Sequence, residues 1–508
     1  MKLENKVVAV AGLGVTGRAV SDVLLARGAH VLGVDAAAES KNEDLAALLE
    51  RGLEVTARDF DIAAAREWLT EKAPELVVAS PGWRPTTPLL QAARASQIPI
   101  WSEAELAWHL RSARGPQWLA VTGTNGKTTV VRLLEAILTA AGRSAQAVGN
   151  IGEPLITAAL NDDLEFLAVE LSSFQLHHTF TMAPLASALL NIAPDHLDWH
   201  GSYAKYRAAK AKIFERTRQV CLYNTADFAT EEILRAADVA PGARAVGITL
   251  AIPTLGTLGI VEGHLYDRAF NPQRRTSAQE IGALGDLVPP ASAGTRPEAA
   301  LRQLPAHLVE DALFAAGLAL AAGIEPAEIA AGLRAFSQNP SGRQHRGERV
   351  AVHNDVAFVN NSKATNPHAA QAAFSGLPSR SAVWIAGGAS KGANLEDLVA
   401  QVSPQLRAVV LIGRQRAQLS QILARHAPDL PVIEIDEAQN KGVDQNGARA
   451  AAIMDRAVRA AQQLAHPSDT VLLAPACASQ DQFDSYVQRG ELFSAAAQKL
   501  AAEEGGAN

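Results

Sequence analysis

The stretch T-G-T-N-G-K-T-T, Thr122 to Thr129, constrains this chain more than any other. It follows a short apolar run, Trp118 to Val121, and precedes a helical pattern, Val130 to Leu138. Strand, glycine turn, lysine, hydroxyl and helix in that order form a holder for nucleotide phosphates. Backbone N–H groups and the helix N-terminus face the anion, Lys127 adds a point charge, and Thr128 can ligate Mg²⁺. The match to G-x-x-x-x-G-K-[ST] is not strict, because Gly123 lies too close to Gly126 and Val121 holds the first glycine's place. An ordinary strand–turn–helix is the competing reading, and the flanking strand and helix weigh against it.

A chain of 508 residues has room for about three domains. With 48% hydrophobic and 19% charged residues it reads as globular, and a net charge of −7 argues against a nucleic-acid or anionic-membrane surface. Two cysteines, Cys221 and Cys477, exclude a disulfide framework or a four-cysteine zinc module and fit a reducing cytosol. No apolar run reaches the roughly 18 residues of a membrane span. Met1 to Ala11 reads as a first buried strand, not a signal peptide, because it runs straight into a glycine fingerprint. These features predict a cytoplasmic protein with neither nucleic-acid nor membrane partners, and a monomer by default.

The pattern of elements predicts an α/β chain. Val7 to Ala11, His30 to Val34 and Leu76 to Ala79 read as parallel strands, with a helix from the glycine turn through Ala26. Arg111 to Gln117 reads as a linker. Phe166 to Val169 and Ala188 to Ile192 add strands to the unit opened by the phosphate loop. Gly263 to Pro305 is weakly periodic and reads as long loops with short strands. Composition breaks again near Asn339 to Gly342, and a third α/β unit follows with strands at Val356 to Val359, Ala382 to Ala386, Ala408 to Ile412 and Val471 to Leu473. The expected domains are 1–114, 115–340 and 341–508, with a frayed tail from Ala501 to Asn508.

Further constellations carry chemistry. G-L-G-V-T-G, Gly12 to Gly17, with Asp35 eighteen residues on, has the form of a dinucleotide fingerprint, yet any nucleoside diphosphate would satisfy it. Glu170 ends a strand beside the phosphate loop, a position suited to Mg²⁺. P-D-H-L-D-W-H, Pro194 to His200, crowds two acids and two histidines; a zinc pair of His196 and His200 lacks a third ligand, so a single histidine serving Mg²⁺ or a substrate is favoured. Lys210 and Lys212 read, on physics alone, as solvated helix lysines. N-N-S-K-A-T-N-P from Asn360, G-G-A-S-K-G from Gly387 and A-P-A-C-A-S-Q-D-Q-F from Ala474 each follow a strand, so three polar loops form a candidate crevice. Cys477 reads as a small buried thiol.

Taken together and in order, these motifs resemble the Mur ligase family of peptidoglycan synthesis over nearly the whole chain. T-G-T-N-G-K-T-T, G-N-I-G from Gly149, E-L-S-S-F-Q-L from Glu170, D-H-L-D-W-H, Y-R-A-A-K from Tyr206, S-K-A-T-N-P and A-P-A-C-A-S-x-D-Q-F carry the resemblance, and S-K-A-T-N looks like the branch that adds D-glutamate. The resemblance implies three domains: a Rossmann-like unit for UDP-N-acetylmuramoyl-L-alanine, a central P-loop-type mononucleotide-binding ATPase and a C-terminal Rossmann-like unit for the amino acid. It implies an acyl phosphate made with ATP and consumed by the amine of D-glutamate, and a C-terminal unit that closes when ligands bind.

By the same resemblance, Gly14, Val15, Thr16, Gly17, Asp35 and Ser80 serve the UDP substrate, with Asn150 and His196 at its acceptor end. Gly123, Thr124, Asn125, Gly126, Lys127, Thr128, Thr129, Asp311, Arg346 and Asn361 serve ATP. Thr128, Glu170, His196 and Lys210, the last as a CO₂-derived carbamate, hold two Mg²⁺ ions. Lys363, Thr365, Lys391, Ser479 and Tyr486 surround D-glutamate. Lys127, Glu170, His196, Lys210 and Lys363 form the catalytic set.

Two departures stand on the adenosine side. H-L-V-E-D, His307 to Asp311, replaces the family's H-N-x-x-N, and Asn361 replaces the acid of D-S-K-A-T-N. They suggest an exchanged donor–acceptor pair of unchanged overall charge. The rival readings are a folylpolyglutamate synthase-like ligase, disfavoured by the N-terminal fingerprint and S-K-A-T-N; an NAD-dependent oxidoreductase, disfavoured by the phosphate loop; and a non-catalytic nucleotide-binding subunit, disfavoured by the complete catalytic set.

Overall fold

The computed structural model describes residues 1–38, 42–288, 304–339, 344–390, 394–435 and 446–503. Lys391 and the tail from residue 504 lie outside the described residues, as does most of the stretch between 289 and 305. Three sheets organise the chain; their central strands, such as Val7–Ala11, Phe166–Glu170 and Ala382–Gly387, are buried and apolar over most of their length, as strands covered on both faces must be, while the edge strands are more polar.

The first sheet contains β1 (Val7–Ala11), β2 (His30–Val34), β3 (Glu54–Thr56), β4 (Leu76–Ala79) and β5 (Ile100–Trp101). They run parallel in the order β3-β2-β1-β4-β5. The chain reverses direction across the sheet at β1 and β4, the switch point where such sheets bind ligands, and the glycine fingerprint follows β1 there.

The second sheet contains β6 (Gln117–Thr122), β7 (Ala145–Gly149), β8 (Phe166–Glu170), β9 (Ala186–Leu189), β10 (Val220–Asn224), β11 (Arg244–Ile248), β12 (Thr257–Val261), β13 (His264–Asp267) and β14 (Gln279–Ala283). Their order is β14-β13-β12-β11-β10-β9-β6-β8-β7, parallel from β7 to β12. The stretch from Gly263, read as long loops with short strands, supplies β13 and β14, which extend the sheet antiparallel as hairpins. The apolar stripe of the helix Lys127–Ala140 lies in the core under β6 and β8, with the helix Pro326–Gln338 packed across it.

The third sheet contains β15 (Glu348–His353), β16 (Val356–Asn360), β17 (Ala382–Gly387), β18 (Leu406–Ile412), β19 (Val432–Glu434) and β20 (Thr470–Leu473), in the order β15-β16-β20-β17-β18-β19. Only β15 is antiparallel. β20, last in sequence, enters between β16 and β17, so the loops following these three strands leave the sheet side by side.

The chain divides into two compact units. One comprises Met1–Ile192, Trp199–Leu304 and Leu308–Gln338 and holds the first two sheets; the other comprises Ala193–Asp198, Pro305–His307 and Asn339–Asn508 and holds the third. Within the first unit, the helix Glu103–Leu110 joins the two sheets through carboxylates. Buried Glu105 accepts from the N–H groups of Phe180 (2.7 Å) and Thr181 (3.0 Å) and from the Thr181 hydroxyl (2.7 Å). Glu103 accepts from the Ile156 N–H at 3.0 Å, while its Oε2 has no partner.

Candidate active site

The phosphate loop emerges from β6 at the switch point between β9 and β8. Gly126 takes a left-handed φ of +86°, which admits glycine without strain, and a Cβ there would lie 2.4 Å from Oδ1 of Asp311. Asp311, expected on the adenosine side, therefore packs its carboxylate directly against the loop. The helix Lys127–Ala140 starts with no side-chain cap, which leaves its first amides available to an anion. Lys127 Nζ donates to the carbonyls of Gly123 (2.8 Å) and Thr124 (3.0 Å). Thr128 and Thr129 fall in the first turn of that helix.

Glu170 ends β8 with its carboxylate between two other expected site residues. Oε2 accepts from the Thr128 hydroxyl at 2.8 Å and Oε1 from the Asn150 carboxamide at 2.9 Å. Asn150 is brought there by a second contact, its N–H to the Glu170 carbonyl at 2.9 Å. Thr128 and Glu170 thus present two hard oxygens beside the phosphate loop, a donor set that suits Mg²⁺. Among the described residues, no group of three His, Cys, Asp or Glu side chains could hold a metal ion by itself. A further oxygen has to come from elsewhere, and a carbamate on Lys210 would supply one in the same corner.

The reading of Lys210 and Lys212 as solvated is overturned. Lys210 is 2% exposed, and its Nζ lies 2.7 Å from the Gly123 carbonyl and 3.2 Å from the Thr122 hydroxyl oxygen. Lys212 Nζ donates to the carbonyls of His177 (2.7 Å) and Thr179 (3.1 Å). Helical periodicity showed two polar residues two apart, but the helix Tyr203–Ala211 lies against the body of the unit, with Tyr206 fully buried. Tyr206 closes the cluster: its hydroxyl meets Thr124 Oγ1 at 2.9 Å and its ring lies 5.1 Å from Lys210 Nζ. Behind it, the rings of His177, Trp199 and His200 pack edge-on or tilted against one another, and burial pushes His177 down to about 4, a neutral imidazole.

His196 belongs to the other compact unit, in the left-handed region at φ +51°, before the short helix Leu197–His200. The helical zinc pair weighed for His196 and His200 is thereby excluded: His196 is not in the helix, and His200 Nε2 bonds Ser173 Oγ at 2.9 Å. Asp195 Oδ1 accepts from the His196 N–H at 2.8 Å.

In the first sheet, Gly14 and Val15 lie exposed at the loop, Thr16 lies in the first turn of the helix Val15–Ala26, and Gly17 packs on the loop itself, where a Cβ would lie 1.8 Å from the Gly12 carbonyl oxygen. Asp35 spends both carboxylate oxygens on backbone, accepting from Leu13 N–H (2.8 Å) and Ala37 N–H (2.9 Å). Ser80 donates to the Gly12 carbonyl at 3.0 Å. These two residues shape the loop whatever else they bind.

In the second unit, the loops after β16, β20 and β17 are stitched together. Ala476 N–H donates to the Ala364 carbonyl at 2.9 Å, and Ala389 and Ala478 exchange hydrogen bonds at 3.0 and 2.9 Å. Lys363 lies with Nζ 4.1 Å from the Tyr486 ring centroid, Thr365 follows half-buried, and Ser479 is buried. Asn361 anchors its loop by donating N–H to the Leu473 carbonyl at 2.9 Å, and Arg346 Nη1 donates to the Gln344 carbonyl at 3.3 Å.

Sequence reasoning missed Arg489. It is 0% exposed and donates to Ser362 Oγ (3.0 Å), the Ser362 carbonyl (2.8 Å) and the Cys477 carbonyl (3.1 Å), so one guanidinium ties the Lys363 loop to the Ser479 loop. Burial lowers it to about 10, still a cation at neutral pH. A single arginine in an Ala-rich helix carries no signal of this. The thiol reading of Cys477 holds: it is buried, and burial pushes it up to about 12.

Known proteins resemble the chain throughout. Three family models match: the Mur ligase MurD-like N-terminal domain over residues 6–102, the Mur ligase middle domain over 121–250 and the Mur ligase glutamate ligase domain over 345–477. The UDP-N-acetylmuramoylalanine–D-glutamate ligase of Streptomyces coelicolor is 46% identical over 505 residues, 99% of each chain. The protein of that name from Thermobifida fusca is 44% identical over 99% of this chain and 100% of its own. Among solved structures, a pseudomurein peptide ligase type C from Methanothermus fervidus superposes with a TM-score of 0.54 at 16% identity, covering 92% of this chain and 96% of that one, a likeness of fold. Spanning full-length relatives and matched in all three of its parts, this chain belongs to the Mur ligase family.

Proposed function

We propose that this chain is an ATP-dependent ligase that joins D-glutamate to UDP-N-acetylmuramoyl-L-alanine, in the cytoplasmic assembly of peptidoglycan precursors. The observation that carries the reading is its end-to-end similarity to ligases of that name. The clustering of Lys127, Thr128, Glu170 and Lys210 around one phosphate loop supports it.

A carboxylate is a poor acyl donor until one of its oxygens becomes a phosphate leaving group. The L-alanyl carboxylate oxygen attacks the γ-phosphorus, an O–P bond forms, and ADP departs with the old bridging oxygen. The amine of D-glutamate then adds to the acyl carbon, a C–N bond replaces the C–O bond, inorganic phosphate leaves, and the nitrogen gives up a proton. Positioning and charge neutralisation are what a protein contributes to such a sequence. Lys127 and the amides of its helix would orient the phosphates, Asn150 would hold the acceptor end, and Lys363 with Ser479 would face the incoming amino acid. Thr128, Glu170, His196 and Lys210 as its carbamate would hold Mg²⁺, which when bound offsets phosphate charge. Asp35 and the loop Gly14 to Gly17 would hold the UDP group, and Arg346, Asn361 and Asp311 the rest of the nucleotide.

The test is phosphate release from ATP and Mg²⁺ with UDP-N-acetylmuramoyl-L-alanine, comparing D-glutamate, L-glutamate and no amino acid. Release that needs both the UDP substrate and D-glutamate is expected, with slow hydrolysis of ATP alone. No release with either isomer would overturn the reading.

A further inference from the structure

The phosphate loop lacks the glycine that usually opens such loops: Val121 stands in that place, and within the loop only Gly126 has a left-handed φ. Something other than backbone freedom must hold its amides in position. The hydrogen-bond ledger shows what. Beyond β6 the ladder to β9 continues, with Leu190 N–H donating to the Thr122 carbonyl at 3.0 Å and Thr124 N–H to the Asn191 carbonyl at 3.1 Å. There the ladder would end, because the loop turns away. The side chain of Asn191 supplies the next rung: its Oδ1 accepts from Asn125 N–H at 2.9 Å and its Nδ2 donates to the Asn125 carbonyl at 3.3 Å. A carboxamide carries the same donor and acceptor as a peptide group, so it pairs with both backbone groups of one residue as a strand would.

We infer that Asn191 is a positioning residue for nucleotide binding, holding the phosphate loop from 66 residues away through the backbone of Asn125. The inference rests on the reading of this loop as the ATP site. It has a consequence for recognition. The amides of Thr124 and Asn125 are committed to Asn191, so phosphate is read by the amides that begin the helix Lys127–Ala140, with Lys127 and Thr128. Asn191 therefore sets nucleotide affinity without touching the nucleotide.

The experiment uses the full chain and two variants, Asn191→Ala and its apolar isostere Asn191→Leu. Calorimetry with Mg·ADP should show affinity weakened about tenfold in each, as expected for loss of two hydrogen bonds that preorganise the site. Initial rates should show the KM for ATP rising by a similar factor, with the KM for the UDP substrate within twofold of wild type and kcat changed less than the KM for ATP. A folded variant that binds Mg·ADP like wild type overturns the inference, and so does a loss spread equally over both substrates. Amide exchange on the wild-type chain needs no variant: Thr124 and Asn125 should be protected without nucleotide, and fast exchange there also overturns it. Wild-type chain that binds Mg·ADP but releases no phosphate with either glutamate isomer would sink the ligase reading alone.

Discussion

The loop after β1 and the loop after β6 are the same device, a strand feeding a helix through glycine, built in two ways. The first is built largely from its own backbone: Gly17 rests on the Gly12 carbonyl, with one carboxylate and one hydroxyl from neighbouring strand ends beside it. The second is borrowed. Asn191, Tyr206 and Lys210 reach it from 66, 82 and 87 residues away. A self-built loop depends on the absence of atoms at one position, and a borrowed loop spreads its dependence over several side chains, each worth little alone.

That difference orders the expected effects. Gly17→Ala should be the most damaging single change, because its Cβ meets backbone that cannot move aside; a loss of about 3 kcal/mol or more is expected, read as a fall in Tm and in soluble yield. A stable Gly17→Ala variant would show that the first loop yields as the second can.

Glu103 sharpens the contrast with Asp35, whose two oxygens both find N–H donors. Glu103 is 2% exposed with one oxygen unpartnered, and burial raises its carboxyl from 4.5 to about 7. Since the folded value exceeds the unfolded one, the stability associated with the protonated form is complete below about pH 4.5 and lost as pH rises through about 7. Glu103→Gln keeps an acceptor for Ile156 N–H and removes the titration, so at pH 8 it should be more stable than wild type by up to about 3 kcal/mol, the difference vanishing near pH 4. Parallel melting curves at the two pH values decide it; a variant less stable at pH 8 sinks the idea.

Tyr206→Phe removes one of the borrowed supports. A cost of about 1 kcal/mol is expected, read as a several-fold rise in the KM for ATP with the UDP substrate unaffected. A change as large as that of Gly17→Ala would mean the phosphate loop hangs on one residue after all. The smallest effect concerns the thiols. Cys221 and Cys477 are buried and pushed up to about 11 and about 12, so neither should react with a thiol reagent at pH 8 in the folded chain, and both should after denaturation. Rapid labelling of native protein would contradict their burial.

Legibility followed the same division. The glycine fingerprint, Lys127, Thr128 and Glu170 announce themselves, because the chemistry needs those residue types at strand ends and helix starts. Lys210 did not: nothing in a helix pattern tells an exposed lysine from one whose face is pressed into the fold, and it was the family resemblance that marked it. Arg489 and Asn191 gave no signal, since each works through backbone atoms of loops far away in sequence. Short strands were expected after Gly263, but not that β13 and β14 would extend the second sheet antiparallel, nor that Asp311 would pack on Gly126.

The sequence by itself determined the parallel α/β layers, the two glycine loops and the three polar loops of the last unit, because hydrophobic period, turn residues and strand-end chemistry are local properties. Only the tertiary structure decided that β20 enters between β16 and β17, which sets those three loops side by side, and that Lys210, Tyr206 and Asn191 converge on one phosphate loop. Strand order and long-range hydrogen bonds are set by how separated segments share a core, and no window of sequence contains both partners.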